Sequence, residues 1–136
     1  MAKSFQMRLD AIQPSQLYIS TEKLAEIMKT FNPSSHRSLE PIPIKKLMNY
    51  IIFVDGHTRA FAGFLHGLSV VPVYWEYEEL DWEAYEICVK WCKNEGICTI
   101  ADLKNRVVSK DDYGVLWLNR CARMQAELKE RRRIRR

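Results

Sequence analysis

The sequence predicts an α+β fold, in which a mixed sheet with helices is followed by a helical extension. Apolar, β-branched runs bounded by proline, glycine and polar residues occur within residues 1–80, together with one clear helical stripe. Apolar residues recur at helical spacing through most of residues 81–136. We therefore predict an α/β core over 1–80 and, packed on it, a helical extension over 81–136 that ends in a basic tail.

The first predicted elements are a strand and an amphipathic helix. Residues 7–12 alternate weakly between apolar and polar side chains, which indicates a first strand or an extended lead-in. Apolar residues at i, i+3, i+4 and i+7 predict a helix over 21–31, capped by Ser20 or Thr21. The Asn-Pro-Ser-Ser segment at 32–35 should end this helix.

A strand, a helix and a second strand are predicted in the middle of the chain. Two prolines favour extended backbone over 41–44, and 45–49 should form a turn or short connector. A strand over 50–54, a helix over 58–65 and a strand over 69–75 follow. A parallel pairing of these two strands would give a right-handed crossover, and the proline inside the later strand favours an edge position or the start of a strand.

The second half of the chain is predicted to be helical. One helix begins at Asp81 and closes at 94–96, and Thr99 caps a short helix through Val107. A Ser-Asp pair at 109–112 resembles a capping box that opens the last helix, which continues into the basic tail.

The net charge of +4 belongs to the end of the chain and not to its body. Six of the last eight residues are basic and one is acidic, so the rest of the chain is close to neutral. A terminal basic run can bind nucleic acid or acidic lipid through phosphate groups, or can be the solvated end of a helix. The nucleic-acid interpretation assigns this contact to Lys129, Arg131, Arg132, Arg133, Arg135 and Arg136.

Cysteine spacing and hydropathy exclude several classes of function. Cys88, Cys92, Cys98 and Cys121 show neither a Cys-x-x-Cys spacing nor a nearby histidine, so they are predicted to be structural thiols, and neither zinc nor haem is expected. No apolar run approaches the roughly 18–20 residues that span a bilayer, and the first residues lack the apolar core of a signal peptide. We therefore expect a cytoplasmic protein without membrane contact.

Residues 50–59 carry the clearest functional signal in the sequence. The apolar run Tyr50–Val54 ends in Asp55-Gly56-His57-Thr58-Arg59, called the 55–59 turn below, and a helix-compatible stretch begins directly after it. The unpaired N–H groups of a helix N-terminus carry partial positive charge, and an arginine adds a forked donor. This pattern predicts a binding site for a phosphate or carboxylate group.

The same residues also allow a purely structural interpretation. Asp55 would cap the helix, Gly56 would supply a positive φ, and Arg59 would pair with an acid such as Glu76. In that case the turn would have no ligand.

Residues 12–75 resemble the ParB/sulfiredoxin superfamily. The resemblance rests on segments spaced along this range, at 14–16, 21–31, 41–44, 54–60, 67–68 and 71–73. It covers about half of the chain and implies a ParB/sulfiredoxin-like mixed sheet in which the Gly-x-x-Arg turn binds nucleotide phosphates. The whole chain also looks like small stand-alone bacterial proteins described only as ParB-like.

The branches of this superfamily differ in the turn. Partition proteins bind and hydrolyse CTP with a Gly-Glu-Arg-Arg turn, whereas His57 and Thr58 stand at its middle positions here. Sulfiredoxins need a catalytic cysteine where this chain has Gly56, which excludes their reaction. The 55–59 turn is most similar to the Asp-Gly-His-x-Arg of free serine kinases. Those kinases have a glutamate where this chain has Gln16, an amide that cannot accept a proton and that is similar to the Pro-x-Gln of partition proteins.

The resemblance also implies roles for individual residues. Asp55 would hold Mg²⁺ or the acceptor hydroxyl, with Asp55 and His57 as the catalytic residues. Phosphate contacts would come from Gly56, His57, Thr58 and Arg59. Gln16 is a further candidate, and Glu22 or Glu40 could replace the kinase glutamate. The implied cofactor is Mg²⁺ with CTP, ATP or ADP.

Three functions are therefore open for this chain. The first is a ParB-like domain that binds a nucleotide or another phosphate ligand, with small-molecule phosphotransfer as its reaction. The second is a DNA-associated ParB-like module or nuclease that uses the basic tail for affinity. The third is a regulatory binding module without catalysis. The apolar helices of 81–136 also allow a homodimer.

Overall fold

The computed structural model describes residues 3–31 and 39–135. Two sequence predictions therefore lie outside the described residues. These are the helix end at 32–35 and Arg136, the last residue of the basic tail.

The described residues form six strands and five α-helices. The strands are β1 (Phe5–Arg8), β2 (Ile19–Ser20), β3 (Ile42–Leu47), β4 (Tyr50–Phe53), β5 (Val70–Trp75) and β6 (Val107–Val108). The α-helices are α1 (Thr21–Thr30), α2 (His57–Leu65), α3 (Trp82–Asn94), α4 (Lys110–Tyr113) and α5 (Asn119–Ile134). Short 3₁₀ segments span Leu9–Ala11 and Ile100–Asn105, and a π turn over Gly114–Leu118 joins α4 to α5.

A four-stranded mixed sheet with the order β1-β5-β3-β4 forms the centre of the fold. β1 pairs antiparallel with β5, and β3 pairs antiparallel with β4 and parallel with β5. β2 and β6 form a separate parallel pair. Because antiparallel and parallel pairings occur in one sheet beside helices, the predicted α+β class is confirmed.

The prediction of a connector over 45–49 is wrong for most of this segment. Lys45–Leu47 continue β3 and pair with β4, so that Met48 and Asn49 alone form the turn of a hairpin. Met48 has a φ of +55°, the left-handed conformation that a tight hairpin turn requires. Lys45 fits the strand because its ammonium lies 5.5 Å from the centre of the Trp82 ring.

The strands on either side of α2 are not neighbours in the sheet. β3 lies between β4 and β5, so these two strands do not pair, and the right-handed crossover considered for a parallel pairing does not arise. The edge position or strand start expected for Pro72 is also wrong, because β5 pairs with both β1 and β3 and Pro72 is its third residue. β5 tolerates this proline since its pairing with β3 begins only at the next residue, Val73.

Two further boundaries differ from the predictions. The strand expected over 7–12 is confined to β1, and the 3₁₀ segment Leu9–Ala11 follows it directly. The short helix after Thr99 is a 3₁₀ helix that ends at Asn105 instead of Val107, and Thr99 begins it with a capping box. The two valines that follow form β6, in keeping with the strand preference of β-branched residues.

One hydrophobic core joins the sheet to the helical extension. Phe53 of β4 and Phe61 of α2 belong to the same buried cluster as Trp117 of the π turn and Leu128 of α5. Both halves of the chain therefore bury apolar surface against each other. None of the helices in the described residues combines the length and the hydropathy that crossing a membrane requires.

We expect Leu128→Ala to lower the free energy of unfolding by about 2–5 kcal/mol, because Leu128 is 1% exposed and its removal leaves a cavity. Urea denaturation, followed by circular dichroism and by tryptophan fluorescence, should show one transition in both signals. Leu118→Ala is the matched control, since Leu118 is 52% exposed in the helical segment that leads into α5, and its effect should be below about 0.5 kcal/mol. Two separate transitions would contradict the shared core.

Candidate functional site

The 55–59 turn connects the end of β4 to the first residue of α2. Gly56 occupies the N-cap position of α2 with a φ of +72°, which favours glycine strongly. The Asp55 carboxylate accepts a hydrogen bond of 2.8 Å from the Gly56 N–H and makes no cap bond to the helix. Gly56 therefore has the positive φ that the purely structural interpretation expects. The helix cap that this interpretation assigns to Asp55 is absent.

Gly56 is also required by space. A Cβ atom built at this residue would lie 3.0 Å from Cγ2 of Ile42 and 3.1 Å from Nη2 of Arg59. Ile42 is fully buried in β3 and cannot retreat. A side chain at position 56 would therefore push the Arg59 guanidinium away from the turn.

The backbone of the segment before β3 holds Arg59 in place. Its Nη1 donates hydrogen bonds to the carbonyls of Pro41, at 2.8 Å, and Glu40, at 3.3 Å. Within residues 3–31 and 39–135, Arg59 makes no ion pair with Glu76 or another carboxylate. A guanidinium that only carbonyls hold keeps its full positive charge available for an anion.

The His57 ring is buried and bonded to the loop before β2. His57 is 4% exposed, and its Nε2 accepts a hydrogen bond of 2.9 Å from the backbone N–H of Ser15. Because a backbone N–H only donates, Nε2 carries no proton, and the neutral ring has its proton on Nδ1. Nδ1 has no hydrogen-bond partner in the part of the chain that the structure describes.

Burial also sets the protonation state of this ring. It lowers the pKa of His57 to about 4, and the nearby Asp55 carboxylate opposes this effect only in part. Near pH 7 the imidazole is therefore neutral, and its Nε2 is already occupied by Ser15. The His57 side chain thus has neither the charge nor a free acceptor atom to offer a ligand.

Two side chains that the sequence did not single out fix the loop around Pro14. Ser15 Oγ donates a hydrogen bond of 2.7 Å to the carbonyl of Phe53, at the end of β4. Gln13 Nε2 donates a bond of 2.8 Å to the carbonyl of Ile97 and so reaches the helical extension. Both side chains are buried, and a buried polar residue in a loop leaves no periodic signal in a sequence.

A cavity of about 350 Å³ opens at the N-terminus of α2 and is called the α2 cavity below. All five residues of the 55–59 turn line it, together with Gln16. Gln16 itself is held by a hydrogen bond of 2.8 Å from its Nε2 to the Tyr18 carbonyl. The rest of the lining comes from α1 and α4, namely Glu22, Lys23, Glu26, Ile27 and Tyr113.

The two glutamates considered as substitutes for a kinase glutamate have different positions. Glu22 lines the α2 cavity, whereas Glu40 lines a separate cavity of about 260 Å³ beside Arg59. Glu40 contacts Arg59 through its backbone carbonyl. The structure therefore brings Glu22 to the turn and leaves Glu40 outside the α2 cavity.

Sequence reasoning missed Lys23, Glu26, Ile27 and Tyr113 as residues of the α2 cavity. The Lys23 ammonium lies 5.1 Å from the centre of the Tyr113 ring. Burial raises the pKa of Tyr113 to about 12, with smaller contributions from Cys121 and Asp55, so its hydroxyl stays protonated at neutral pH. The amphipathic pattern of α1 shows that Lys23 is on its polar face, but it does not show which distant residue meets that face.

The described part of the basic tail is largely paired with carboxylates. Arg132 binds Asp81 with two hydrogen bonds, of 2.6 and 3.1 Å, and its Nε lies 3.2 Å from Glu83. Arg135 lies 3.6 Å from Glu83 as well, and Arg133 pairs with Glu130. The acidic start of α3 thus neutralises part of the basic tail within one molecule.

The cysteines do not form a metal site in the described residues. Cys88 and Cys92 are buried, and burial raises the pKa of Cys92 to about 12. Across residues 3–31 and 39–135, no three His, Cys, Asp or Glu side chains are grouped closely enough to hold a metal by themselves. A divalent cation at the 55–59 turn would therefore need oxygen atoms from its ligand in addition to Asp55.

We expect the free energy of unfolding to fall by up to about 3 kcal/mol between pH 7 and pH 4 because of His57. Its pKa is lower in the folded than in the unfolded protein, so the unfolded state binds the extra proton in this window. The contribution is complete above the unfolded pKa, near 6.5, and is lost as the pH falls to about 4. Urea titrations at several pH values measure it.

His57→Gln should remove this part of the pH dependence, since a glutamine oxygen can accept from Ser15 without titrating. Leu128→Ala is the control, since it removes no titratable group and should lower the stability while keeping the wild-type slope. A His57→Gln variant with the slope of the wild type would show that the ring does not act in this way.

Comparison with known proteins gives distant similarities only. No family model and no curated protein matches the chain. Protein Atu1540 from Agrobacterium tumefaciens is similar in structure, with 11% identity and a TM-score of 0.47 over 72% of this chain and 51% of that one. The C-terminally truncated partitioning protein ParB from Caulobacter crescentus, complexed with CTP-γ-S, has 21% identity and a TM-score of 0.44 over 68% and 52%. This chain thus spans about half the length of each, and both are distant likenesses of fold that assign no activity to it.

Proposed function

We propose that the α2 cavity binds the phosphate groups of a nucleotide together with Mg²⁺. The observation that carries the proposal is the start of α2 inside the cavity. The first intrahelical bond runs from the Ala60 N–H to the Gly56 carbonyl, at 3.0 Å, so the N–H groups of residues 57–59 have no acceptor within the helix. Phosphate oxygens are suitable acceptors for such groups, and Lys23 and Arg59 supply positive charge beside them.

The charges around the α2 cavity favour a phosphate that carries a metal ion. Two bases, Lys23 and Arg59, line it beside three carboxylates, those of Glu22, Glu26 and Asp55. A bare triphosphate would be repelled by these carboxylates, whereas Mg²⁺ reduces its charge and accepts oxygen ligands from both sides. Asp55 is the carboxylate of the turn itself and is exposed, so we assign the metal contact to it.

The individual roles follow from the contacts. The Arg59 guanidinium, already oriented by two carbonyls, would bind a phosphate with its remaining donors. Thr58 would add its hydroxyl, and Gly56 and His57 would contribute backbone. We assign the His57 side chain to positioning, since its ring is neutral and bonded to Ser15.

Phosphotransfer to a small hydroxyl compound is the reaction that we propose for this site. Glu22 would accept the proton of that hydroxyl while the hydroxyl oxygen attacks the terminal phosphorus of the nucleotide. The bond between the terminal phosphorus and the bridging oxygen would break, which releases the shortened nucleotide. Gln16 cannot take this role because its amide is not a base and its N–H is bonded to Tyr18.

We expect Mg²⁺ with CTP, ATP or ADP to raise the Tm of the protein, by the equivalent of about 2.7 kcal/mol at 100 times Kd. Arg59→Ala should abolish this stabilisation and should lower the ligand-free stability by only about 0.5–1.5 kcal/mol through its lost carbonyl bonds. Arg123→Ala is the matched control, because Arg123 is exposed on α5 and away from the cavity.

Asp55→Asn should weaken stabilisation by the nucleotide with Mg²⁺ more than stabilisation by the nucleotide alone. No change in Tm with any of the three nucleotides would contradict the proposal. Stabilisation without release of a shortened nucleotide, across a set of small hydroxyl acceptors, would leave a binding module without catalysis.

The ion pairs of the basic tail predict weak DNA binding with a shallow salt dependence. Arg132, Arg133 and Arg135 must each leave a carboxylate before they can contact a phosphate. We therefore expect log K against log salt to have a slope no steeper than about −3, instead of the roughly −5 that six free bases would give. Fluorescence anisotropy with a labelled duplex measures this slope.

Glu83→Gln should steepen the slope, since it releases Arg135 and one contact of Arg132. Glu127→Gln is the control, because Glu127 is exposed on α5 and makes no ion pair in the described residues. A slope near −5 in the unmodified protein would show that the carboxylates do not restrain the tail.

A further inference from the structure

A second cavity, of about 200 Å³, adjoins the α2 cavity and is called the extension cavity below. Gln16 and His57 line both cavities, so these two residues form their common wall. Most of the remaining wall comes from the helical extension, including Ala84 of α3, Trp117 of the π turn and Met124 of α5. The helical extension therefore supplies most of a cavity that meets the α2 cavity at Gln16 and His57.

The walls of the extension cavity combine apolar surfaces with amide edges. Ala84, Trp117 and Met124 are each no more than 6% exposed and present apolar atoms. Gln16 uses its N–H on the Tyr18 carbonyl, which leaves its amide oxygen as an acceptor. Gln125 is exposed and lines the same cavity. A planar ring with apolar faces and polar edges suits such walls.

The extension cavity is too small to be a usual small-molecule site by itself. Sites for small molecules usually measure about 300–1,000 Å³, and this cavity alone is smaller. The α2 cavity, which shares Gln16 and His57 with it, measures about 350 Å³, so a ligand that extends past these two residues into both cavities would have the volume of a usual small-molecule site. If the phosphates of a nucleotide bind at the N-terminus of α2, its sugar and base can extend into the extension cavity.

We infer that the extension cavity binds the base of the nucleotide whose phosphates the α2 cavity binds. This inference rests on the proposed function and adds to it that residues from 81–136 select the nucleotide. Amide side chains recognise donor and acceptor patterns on base edges, and Gln16 and Gln125 supply two of them. Trp117 would provide an apolar surface for the ring.

The experiment compares inorganic tripolyphosphate with CTP, ATP, GTP and UTP, each with Mg²⁺, by isothermal titration calorimetry on the full chain. We expect at least one nucleotide to bind about tenfold or more tightly than tripolyphosphate. Ala84→Leu fills the extension cavity and should lower the affinity for that nucleotide to the affinity for tripolyphosphate. The affinity for tripolyphosphate itself should stay within about twofold of the wild-type value. Ala122→Leu, at an exposed position of α5, is the matched control.

Gln125→Ala is the second variant, because an exposed glutamine can be shortened without disturbing the fold. Gln125→Ala should weaken the binding of the preferred nucleotide several-fold and leave the affinity for tripolyphosphate unchanged. Equal binding of tripolyphosphate and all four nucleotides would overturn the inference and leave the proposed function intact, as would a Gln125→Ala variant with unchanged nucleotide affinity. If neither tripolyphosphate nor a nucleotide binds, the proposed function fails and the inference fails with it.

Discussion

The hydrogen bond from the Ser15 N–H to His57 Nε2 is the contact on which the arrangement of the candidate site depends. It joins the loop before β2 to the first residue of α2, two segments that are otherwise far apart in the chain. It also determines the tautomer of the ring, since the acceptor nitrogen cannot carry a proton. Burial of the pair makes both effects strong, because a buried polar group without a partner is costly.

The consequence of this contact is a rigid frame around a polar cavity. Ser15 is bonded at the same time to the end of β4, and Gln13 is bonded to the helical extension. The loop is thus anchored to three elements and presents Gln16 beside the 55–59 turn. In the same cavity, the Arg59 guanidinium donates hydrogen bonds to backbone carbonyls. Binding groups that are ordered before a ligand arrives lose little freedom when it binds.

Local chemistry explains which parts of the fold could be predicted from the sequence. The helix expected over 21–31 is α1, and the glycine expected at a positive φ is Gly56, because both depend on residues close together in the chain. The sheet order was beyond prediction, since inserting β3 between β4 and β5 is a long-range choice. The connector expected over 45–49 was wrong for a similar reason, because Lys45–Leu47 extend β3 through their pairing with β4.

In the candidate site as well, features set by neighbouring residues could be predicted, whereas features set by tertiary packing could not. The 55–59 turn was recognisable because five chemically distinct residues are consecutive. Lys23 and Tyr113 were missed because they come together only when α1 and α4 pack. The basic tail was visible as a charge run, and Asp81 and Glu83 at the start of α3 lie in an acidic stretch of the sequence. Their pairing, through Arg132 and Asp81, depends on how α5 lies along α3 and therefore on the tertiary fold.

The π turn at Gly114–Leu118 determines that placement of α5. A π turn contains one residue more than an α-helical turn, so everything after it is shifted in phase by about 100° around the helix axis. If the same five residues formed an α-helical turn, α5 would rotate as a unit, which would turn Met124 and Leu128 away from the core and move Arg132 away from Asp81. The sequence of α5 could stay unchanged while its apolar side chains faced away from the core. The π geometry of this one turn, as much as the composition of the helix, therefore specifies which surface of α5 meets the rest of the protein.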